Sequence, residues 1–232
     1  MGTLYVIGTP IGNLEDLAPR AARTLAEVAL VAAEDTRRTR QLLTHLGISK
    51  PLLSVHAGAE RGRATQVVEA LVDGDVALCT DAGMPSISDP GAHLVGRARA
   101  AGHHVVVIPG PSAVTAALAL SGFAADRFIF LGFLPRKAGE MARTVGALAE
   151  ETRTAVAFES PYRLLKALDI IAQTLPGRRC AVARELTKVH EELRVGPAEE
   201  LAGHYRQKPV KGEITLLIEG APKRRKRQGI AA

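Results

Sequence analysis

The sequence predicts an α/β fold, because short apolar runs alternate with stretches of helical spacing along most of its 232 residues. In the first half, five runs show little apolar–polar alternation, which is typical of strands buried on both faces of a parallel sheet. The stretches between them would form helices that cover both faces of this sheet. The predicted strands are Leu4–Ile7, Val28–Ala32, Leu52–Val55, Val76–Cys79 and Val105–Ile108, and the predicted helices are Leu17–Glu27, Thr36–Leu46, Arg61–Val72, Gly91–Ala101 and Ala113–Leu120.

The second half is more mixed and predicts a separate domain. The alternation breaks between Ser121 and Arg127, so we expect an N-terminal α/β domain at 1–120 and a C-terminal mixed α/β domain at 121–222. A run near Glu191–Gly196, then a short helix and a final strand, suggests antiparallel pairing. The predicted strands are Phe128–Leu131, Thr154–Phe158, Arg179–Ala183, Glu192–Val195 and Ile214–Ile218, and the predicted helices are Ala138–Glu150, Pro161–Thr174 and Ala198–Tyr205.

Composition and charge exclude several classes of protein. Five of the charges in the net +6 lie in Lys223–Arg227, so we expect residues 223–232 to form a basic, disordered tail. Any other basic surface must then be a local patch. No apolar stretch is long enough for a membrane helix, and no basic segment precedes the first apolar run as in a signal peptide. Cys79 and Cys180 lie far apart in apolar surroundings, which indicates reduced core thiols and a cytoplasmic protein. The scattered histidines indicate no metal site.

The loop after the first predicted strand, Gly8–Asn13, contains two glycines but is not a dinucleotide-binding loop. Position 10 is Pro, which removes a backbone amide that a pyrophosphate would need. Two explanations remain equally good from the spacing alone: a tight strand-to-helix turn, or a loop that contacts another kind of ligand. Because ligands of open α/β sheets bind beyond the carboxyl ends of the strands, the other loops at that edge matter equally.

The loop after the fourth predicted strand, Thr80–Gly91, holds two carboxylates and no basic residue. Such a loop suits a ligand that presents hydroxyls or positive charge rather than phosphate. Asp89 stands directly before Pro–Gly at a predicted helix start, so we expect it to be an ordinary N-cap. Asp81, at the carboxyl end of the strand, is the stronger candidate for a functional role.

The loop after the fifth predicted strand, Pro109–Ala113, is held by two prolines. Ser112 is either the N-cap of the following helix or a ligand contact. Three rigid loops of small residues at one edge of one sheet together predict a preformed pocket for a polar ligand without phosphate.

The segment Glu34–Arg40 mixes acids and bases at a predicted helix start. One interpretation is a self-capped first turn, since acids favour the positive end of a helix dipole. The other is that Arg37, Arg38 and Arg40 bind phosphates while Asp35 faces the pocket.

Taken together, eight segments in order resemble the ribosomal RNA small subunit methyltransferase I family, within the tetrapyrrole methylase superfamily. The resemblance covers residues 3–219, and no single segment carries it alone. The segments are Leu4–Leu14, Ala33–Arg37, Asp81–Gly91, Pro109–Ala113, Phe130–Pro135, Phe158–Pro161, Ala183–Lys188 and Lys211–Glu213.

This resemblance implies a two-domain tetrapyrrole-methylase-like fold that is typically dimeric. It also implies methylation of the ribose 2′-oxygen of a cytidine in the decoding region of 16S ribosomal RNA, with S-adenosylmethionine as the methyl donor. A sulfonium nucleoside without phosphate agrees with the pocket predicted above. Carried over residue by residue, the implied cofactor contacts are Pro10, Asp81, Gly83, Met84, Ser112, Ala113, Phe158, Leu186 and Gly212.

For this reaction, Asp35, Glu159 and Glu185 are candidate bases for the ribose hydroxyl, and Lys188 is a candidate to lower the pKa of that hydroxyl by its charge. Two alternatives stay open: a methylase of the same superfamily that acts on a small tetrapyrrole or corrin, and a non-catalytic RNA-binding or ribosome-assembly module. The candidate RNA contacts are Arg37, Arg38, Arg40, Arg136, Lys137, Arg163, Lys223, Arg224 and Arg225.

Overall fold

A computed structural model describes residues 1–56, 58, 60–208 and 210–222 of the chain, so the predicted basic tail lies outside the described residues. The chain falls into two compact units, Met1–Ala113 and Val114–Ala232. Each unit contains one five-stranded sheet. The helix α5 (Ala113–Ser121) spans both this division and the boundary predicted after residue 120.

The first sheet is entirely parallel, as predicted, with the order β3-β2-β4-β1-β5. Its strands alternate with helices along the chain, which is the arrangement that parallel pairing requires. The strands are β1 (Thr3–Ile7), β2 (Leu30–Ala33), β3 (Leu52–Ser54), β4 (Val76–Cys79) and β5 (His104–Ile108), and the helices before α5 are α1 (Pro19–Glu27), α2 (Thr36–His45), α3 (Glu60–Asp73) and α4 (Ala92–Ala100).

Helices cover both faces of the first sheet, and the central strand β4 shows how the sequence achieves this. Val76 and Leu78 belong to the core that α3 and α4 close on one face. Ala77 and Cys79 belong to the core that α1 and α2 close on the other face. Because side chains alternate between the two faces of a strand, four apolar residues in succession bury β4 completely.

The second sheet is mixed, with the order β6-β7-β10-β8-β9. Strands β6 and β7 are parallel, whereas β10 pairs antiparallel with β7 and β8, and β9 pairs antiparallel with β8, which confirms the predicted antiparallel pairing. The strands are β6 (Phe128–Phe133), β7 (Thr154–Glu159), β8 (Arg179–Arg184), β9 (Glu192–Pro197) and β10 (Ile214–Ile218), and the helices are α6 (Ala138–Gly146), α7 (Pro161–Thr174) and α8 (Ala198–Gln207).

Element boundaries differ from the prediction at a few ends. The helix α1 begins at Pro19, whose fixed φ suits a first helical turn, and it ends where Val28 donates its N–H to the Thr24 carbonyl. The predicted extension of α6 to Glu150 is wrong, because the helix ends at Gly146 and tighter turns follow. Glycine is a poor helix former, which explains the early end.

Both cysteines are buried and free, as predicted. Burial raises the pKa of the Cys79 and Cys180 thiols to about 12, so both remain protonated. No helix in the described part of the chain is long and apolar enough to cross a membrane. Among the same residues, no group of three or more His, Cys, Asp or Glu side chains is placed to hold a metal ion.

Candidate functional site

The loops after β1 and β4 open a crevice at the carboxyl edge of the first sheet. These two strands are neighbours, but β1 leads to α1 on one face of the sheet and β4 leads to α4 on the other. The two loops therefore diverge from a common edge. Ligands of open α/β sheets bind at such a switch point, so the first unit carries a binding crevice in the expected place.

A short backbone bridge joins the two diverging loops. The Thr9 N–H donates to the Gly83 carbonyl at 2.9 Å, and the Gly83 N–H donates to the Thr9 carbonyl at 3.0 Å. The buried Thr9 hydroxyl also donates to the Thr80 carbonyl at 3.1 Å. Gly83 has φ +80°, a left-handed conformation in which glycine carries no steric penalty.

The loop after β5 is locked against the loop after β1 by close contact between two glycines. A Cβ atom on Gly8 would lie 2.6 Å from the Gly110 nitrogen and 2.6 Å from the Met84 sulfur. A Cβ atom on Gly110 would lie 2.7 Å from the Gly8 carbonyl oxygen. We call the three loops Gly8–Asn13, Thr80–Gly91 and Pro109–Ala113 the three-loop clamp. It carries six of the predicted cofactor contacts: Pro10, Asp81, Gly83, Met84, Ser112 and Ala113.

Backbone strain is concentrated in two loops. Among the described residues, the non-glycine residues with positive φ are Ser86 (+73°) and Ser88 (+63°) in the loop after β4, and Glu185 (+50°) and Thr187 (+64°) in the loop after β8. The left-handed conformation costs about 1–2 kcal/mol for each such residue. Strain of this kind persists where surrounding contacts enforce it and clusters at functional sites, which points to these two loops independently of their sequence.

The clamp has a negatively charged rim. A Glu34 carboxylate oxygen accepts the Asp81 N–H at 3.2 Å, and the Asp81 carboxylate accepts the Asp35 N–H at 3.1 Å. Burial, together with the nearby charges of Glu34 and Asp81, raises the pKa of Asp89 to about 6. Burial also raises the pKa of Glu34. Arg38, with its Nε 3.5 Å from Asp81 Oδ2, partly offsets this negative charge.

The prediction that Asp89 caps α4 is wrong, because Glu60 of α3 performs that role. One Glu60 carboxylate oxygen accepts the N–H groups of Gly91, His93 and Leu94 at 3.0–3.1 Å. These are the amides that the first turn of a helix leaves unpaired. Asp89 therefore does not cap α4, and its carboxyl group belongs to the acidic rim.

Asp35 is the N-cap of α2, which confirms the self-capped turn. Its Oδ1 accepts the Arg37 N–H at 2.8 Å, and its Oδ2 lies 2.8 Å from the Arg37 guanidinium. The side-chain and backbone hydrogen bonds from Arg37 lower the pKa of Asp35 to about 2. Arg37 donors therefore engage both oxygens of this carboxylate, so the geometry favours a structural role for Asp35.

A cleft of about 460 Å³ opens between the clamp and α2. It lies within the first unit, and two predicted cofactor contacts, Pro10 and Asp81, form part of its wall. The sequence did not single out Gln41, because one exposed polar residue on a helix carries no chemical signal of its own. The lining residues are Thr9, Pro10, Leu14, Arg38, Thr39, Gln41, Leu42, Thr80 and Asp81.

Three further predicted cofactor contacts gather at one edge of the second sheet. Strand β7 ends at Glu159 and β8 ends at Arg184, and both residues pair with Ile214 at the start of β10. The segments beyond these strand ends therefore meet at one edge. Leu186 and Gly212 lie in these segments, and Phe158 is the last residue but one of β7.

Phe158 belongs to an aromatic group at this edge. Its ring centroid lies 5.1 Å from that of Phe130 and 5.6 Å from that of Phe133, both in tilted or edge-on arrangements. Phe133 is more than half exposed. Together the three rings form an apolar group on β6 and β7.

A compact ionic network shapes that strained loop. Glu185 Oε1 accepts the Glu213 N–H at 2.8 Å and the Lys188 ammonium at 3.0 Å. Lys188 also donates to Glu213 Oε2 at 3.0 Å. Gly212 permits this arrangement, since a Cβ there would overlap the Glu185 carboxylate. Glu213 had no predicted role, and its contact with Glu185 spans 28 residues, so no local pattern in the sequence reveals it.

The network keeps the side chains of Glu185 and Lys188 ionised. Burial raises the pKa of Glu185, but the Glu213 amide and Lys188 outweigh burial and leave that pKa below its ordinary value. Burial lowers the pKa of Lys188, but the Glu185 and Glu213 carboxylates outweigh it and leave that pKa above its ordinary value. The loop therefore presents a fixed carboxylate beside a fixed cation.

Glu159 and Arg163 form a buried pair in the second unit. Glu159 is only 2% exposed, and its Oε1 accepts the Ser160 N–H and the Arg163 guanidinium, each at 2.6 Å. Arg163 also donates to the Leu134 carbonyl at 3.1 Å. Burial raises the pKa of Glu159 despite the nearby cation. This geometry favours structural roles over proton transfer by Glu159 and RNA contact by Arg163.

The remaining predicted RNA contacts lie on exposed surface in two places. Arg37, Arg38 and Arg40 lie on α2 in the first unit, although Arg37 and Arg38 also contact acids of the rim. Arg136 and Lys137 are exposed before α6 in the second unit, where Lys137 lies 3.5 Å from Glu140. The other three predicted contacts, Lys223, Arg224 and Arg225, lie outside the described residues.

Comparison with known proteins shows which family this chain resembles. Residues 3–202 match the family model "Tetrapyrrole (Corrin/Porphyrin) Methylases". The chain is 47% identical to ribosomal RNA small subunit methyltransferase I of Thermotoga maritima, over 95% of this chain and 99% of that protein. It is 48% identical to the protein of that name from Pseudomonas aeruginosa, over 94% of this chain and 79% of that protein.

A solved structure is similar in fold. It is the uroporphyrin-III-C-methyltransferase of Thermus thermophilus, with a TM-score of 0.66 and 94% of each chain covered. The sequence identity is only 19%, so this likeness concerns the fold and not the substrate.

We predict that Gly8→Ala disrupts the clamp, because the new methyl group would overlap Gly110 and Met84. The free energy of unfolding in urea should fall by about 1–3 kcal/mol, as for other overpacked sites. The matched control is Gly96→Ala in α4, where a Cβ meets open space. This control should raise the free energy of unfolding by about 0.4–1 kcal/mol. Equal stability of the two variants would contradict the tight contact.

We also predict a pH dependence that originates at Asp89. The unfolded chain releases this proton near the ordinary value of 3.8, whereas the folded chain retains it to about pH 6. Stability should therefore fall as the pH rises through this window, because folding disfavours the charged form. Urea unfolding of Asp89→Asn should show a smaller fall between pH 4 and pH 7 than unfolding of the wild type or of Asp73→Asn, an exposed control. Parallel profiles for all three proteins would contradict this origin.

Proposed function

The chain belongs to the ribosomal RNA small subunit methyltransferase I family of tetrapyrrole methylases, and we propose that it methylates the ribose 2′-oxygen of a cytidine in the decoding region of 16S ribosomal RNA. It is a methyltransferase, and we infer that its methyl donor is S-adenosylmethionine. The observation that carries this proposal is the three-loop clamp at the switch point of a parallel sheet, with its acidic rim.

The residues of the clamp fit this cofactor. S-adenosylmethionine presents a positive sulfonium, an ammonium group and ribose hydroxyls, and it has no phosphate. The clamp offers the Asp81 carboxylate and backbone carbonyls, and Glu34 and Asp89 add negative charge behind it. The residues proposed to hold the cofactor are Pro10, Asp81, Gly83, Met84, Ser112 and Ala113 in the first unit, and Phe158, Leu186 and Gly212 in the second.

The chemistry leaves two tasks to the protein. When bound, S-adenosylmethionine supplies an electrophilic methyl group whose leaving thioether needs no proton. The protein must therefore hold the ribose oxygen in line with that methyl group, which is a matter of positioning. It must also accept the hydroxyl proton, which becomes far more acidic as the new carbon–oxygen bond forms.

Among the four predicted catalytic residues, Glu185 and Lys188 are the ones that we propose for the second task. Asp35 is committed to Arg37, and Glu159 is buried against Arg163. Glu185 and Lys188 are partly exposed and lie in a strained loop. We propose that Glu185 accepts the hydroxyl proton through Oε2, while Lys188 holds the carboxylate in place and stabilises negative charge on the ribose oxygen.

Contact with the RNA backbone is assigned to the exposed basic residues. Arg37, Arg38 and Arg40 on α2, together with Arg136 and Lys137 before α6, are accessible for phosphate binding. Such contacts position an RNA without reading its sequence. Ribosomal RNA as the substrate implies a cytoplasmic enzyme, and we propose that it acts as a homodimer.

We predict that the protein transfers tritiated methyl groups from S-adenosylmethionine to small ribosomal subunits that lack this modification. The label should appear at one cytidine of 16S RNA, and the adjacent phosphodiester should resist alkaline cleavage because a 2′-O-methyl group blocks that reaction. Free 16S RNA and a precorrin serve as competing substrates. Label in the precorrin alone, or no label in any RNA, would overturn the proposal.

We predict that Glu185→Gln lowers kcat for methyl transfer by about 10²- to 10⁴-fold, the range for loss of a well-placed base. The amide preserves the acceptor at Oε1 and thus the turn at Gly212, so calorimetric affinity for S-adenosylmethionine should change little. Glu191→Gln, on an exposed residue of the same loop, is the control and should retain activity. A Glu185→Gln variant as active as this control would exclude Glu185 as the base.

A further inference from the structure

The cleft between the clamp and α2 has walls of two different kinds. On the clamp side lie Thr9, Pro10 and Asp81, and the last two also belong to the proposed cofactor site. On the helix side lie Gln41 and Leu42. A group held in this cleft would therefore be next to the cofactor, as an acceptor of the methyl group must be.

The exposed stripe of α2 continues from this cleft. Arg37, Arg40, Gln41, Thr44 and His45 recur at the spacing of one helical face and line a second, shallower depression. All five side chains are exposed, and none is acidic. Gln41 lines both the depression and the cleft, so it stands where the two meet.

We propose that this cleft receives the acceptor nucleotide, turned out of the RNA, and that Gln41 recognises the edge of its base. The inference rests on the proposed function, since it names a subsite for the same reaction. The exposed stripe of α2 then binds phosphates of the flanking nucleotides, which lead the RNA strand into the cleft.

The chemistry of the walls matches the parts of a nucleotide. Leu14 is 43% exposed and offers apolar surface to the face of a base, whereas Leu42, which also lines the cleft, is only 8% exposed. Arg38 is suited to a phosphate, and Thr9 and Asp81 lie on the side where the ribose must face the cofactor. The volume of about 460 Å³ is within the range of small-molecule sites. Enzymes that modify a nucleotide commonly extrude it into such a pocket.

The side chain of Gln41 suits a pyrimidine edge. Its amide carries one acceptor and two donors. The carbonyl oxygen can accept from the exocyclic amine of cytosine while the amide nitrogen donates to the adjacent ring nitrogen. No phosphate contact has this pattern, so Gln41 is the residue of the stripe that distinguishes base recognition from backbone binding.

The test combines a change in the protein with a change in the base. Small subunits are assembled with 16S RNA that carries, at the acceptor position, either cytidine or its analogue without the 4-amino group. Wild type, Gln41→Ala and the control Gln66→Ala are compared by kcat/KM for methyl transfer. Gln66 is an exposed residue of α3 that lines neither the cleft nor the shallower depression on α2.

On cytidine, Gln41→Ala should lower kcat/KM by about 10- to 100-fold, the range for loss of a good contact to a base edge. Loss of the 4-amino group should impair the wild type and Gln66→Ala but cause little further loss in Gln41→Ala. Calorimetric affinity for S-adenosylmethionine should be the same in all three proteins.

Two results would overturn the nucleotide subsite. One is full activity of Gln41→Ala on cytidine, and the other is an equal loss from the base change in the wild type and in Gln41→Ala. Either result, with active wild type, leaves the proposed function intact. Failure of the wild type to methylate any RNA would instead count against the proposed function itself.

Discussion

The backbone contact between Gly8 and Gly110 is the constraint on which the geometry of the candidate site depends. No side chain fits at either position, and the neighbouring bridge between Thr9 and Gly83 ties in the third loop. The loops after β1, β4 and β5 are thus fixed to one another by main-chain atoms. A site built in this way is rigid before its ligand binds, which reduces the entropy lost on binding.

The acidic and basic side chains around the site lie on different surfaces. Acidic side chains gather behind the clamp, where burial and mutual repulsion raise the pKa of Asp89 to about 6. The exposed face of α2 beside it is basic. A cationic methyl donor and an anionic RNA backbone would therefore meet surfaces of opposite sign to their own. Asp35 separates the acidic side chains from the basic face of α2, because it caps that helix and pairs with Arg37.

Much of the architecture could be predicted from the sequence, because buried parallel strands and their loops are local features. The fully apolar run of β4 and the Pro-rich loop after β5 are examples. The contacts within the site could not be predicted in the same way. Glu60 replaces Asp89 as the cap of α4 from another helix, and Glu185 meets Glu213 across 28 residues. Such pairings depend on the folded chain and have no local signal.

Every role proposed for the first unit requires that the three-loop clamp holds the methyl donor. The decisive measurement is a crystal structure of the full chain with S-adenosylhomocysteine. We expect density for the nucleoside against the loops that carry Pro10, Gly83 and Ser112, with its sulfur facing the cleft beside Asp81. Density for the nucleoside at another place, with the clamp filled by the protein's own side chains, would refute this site.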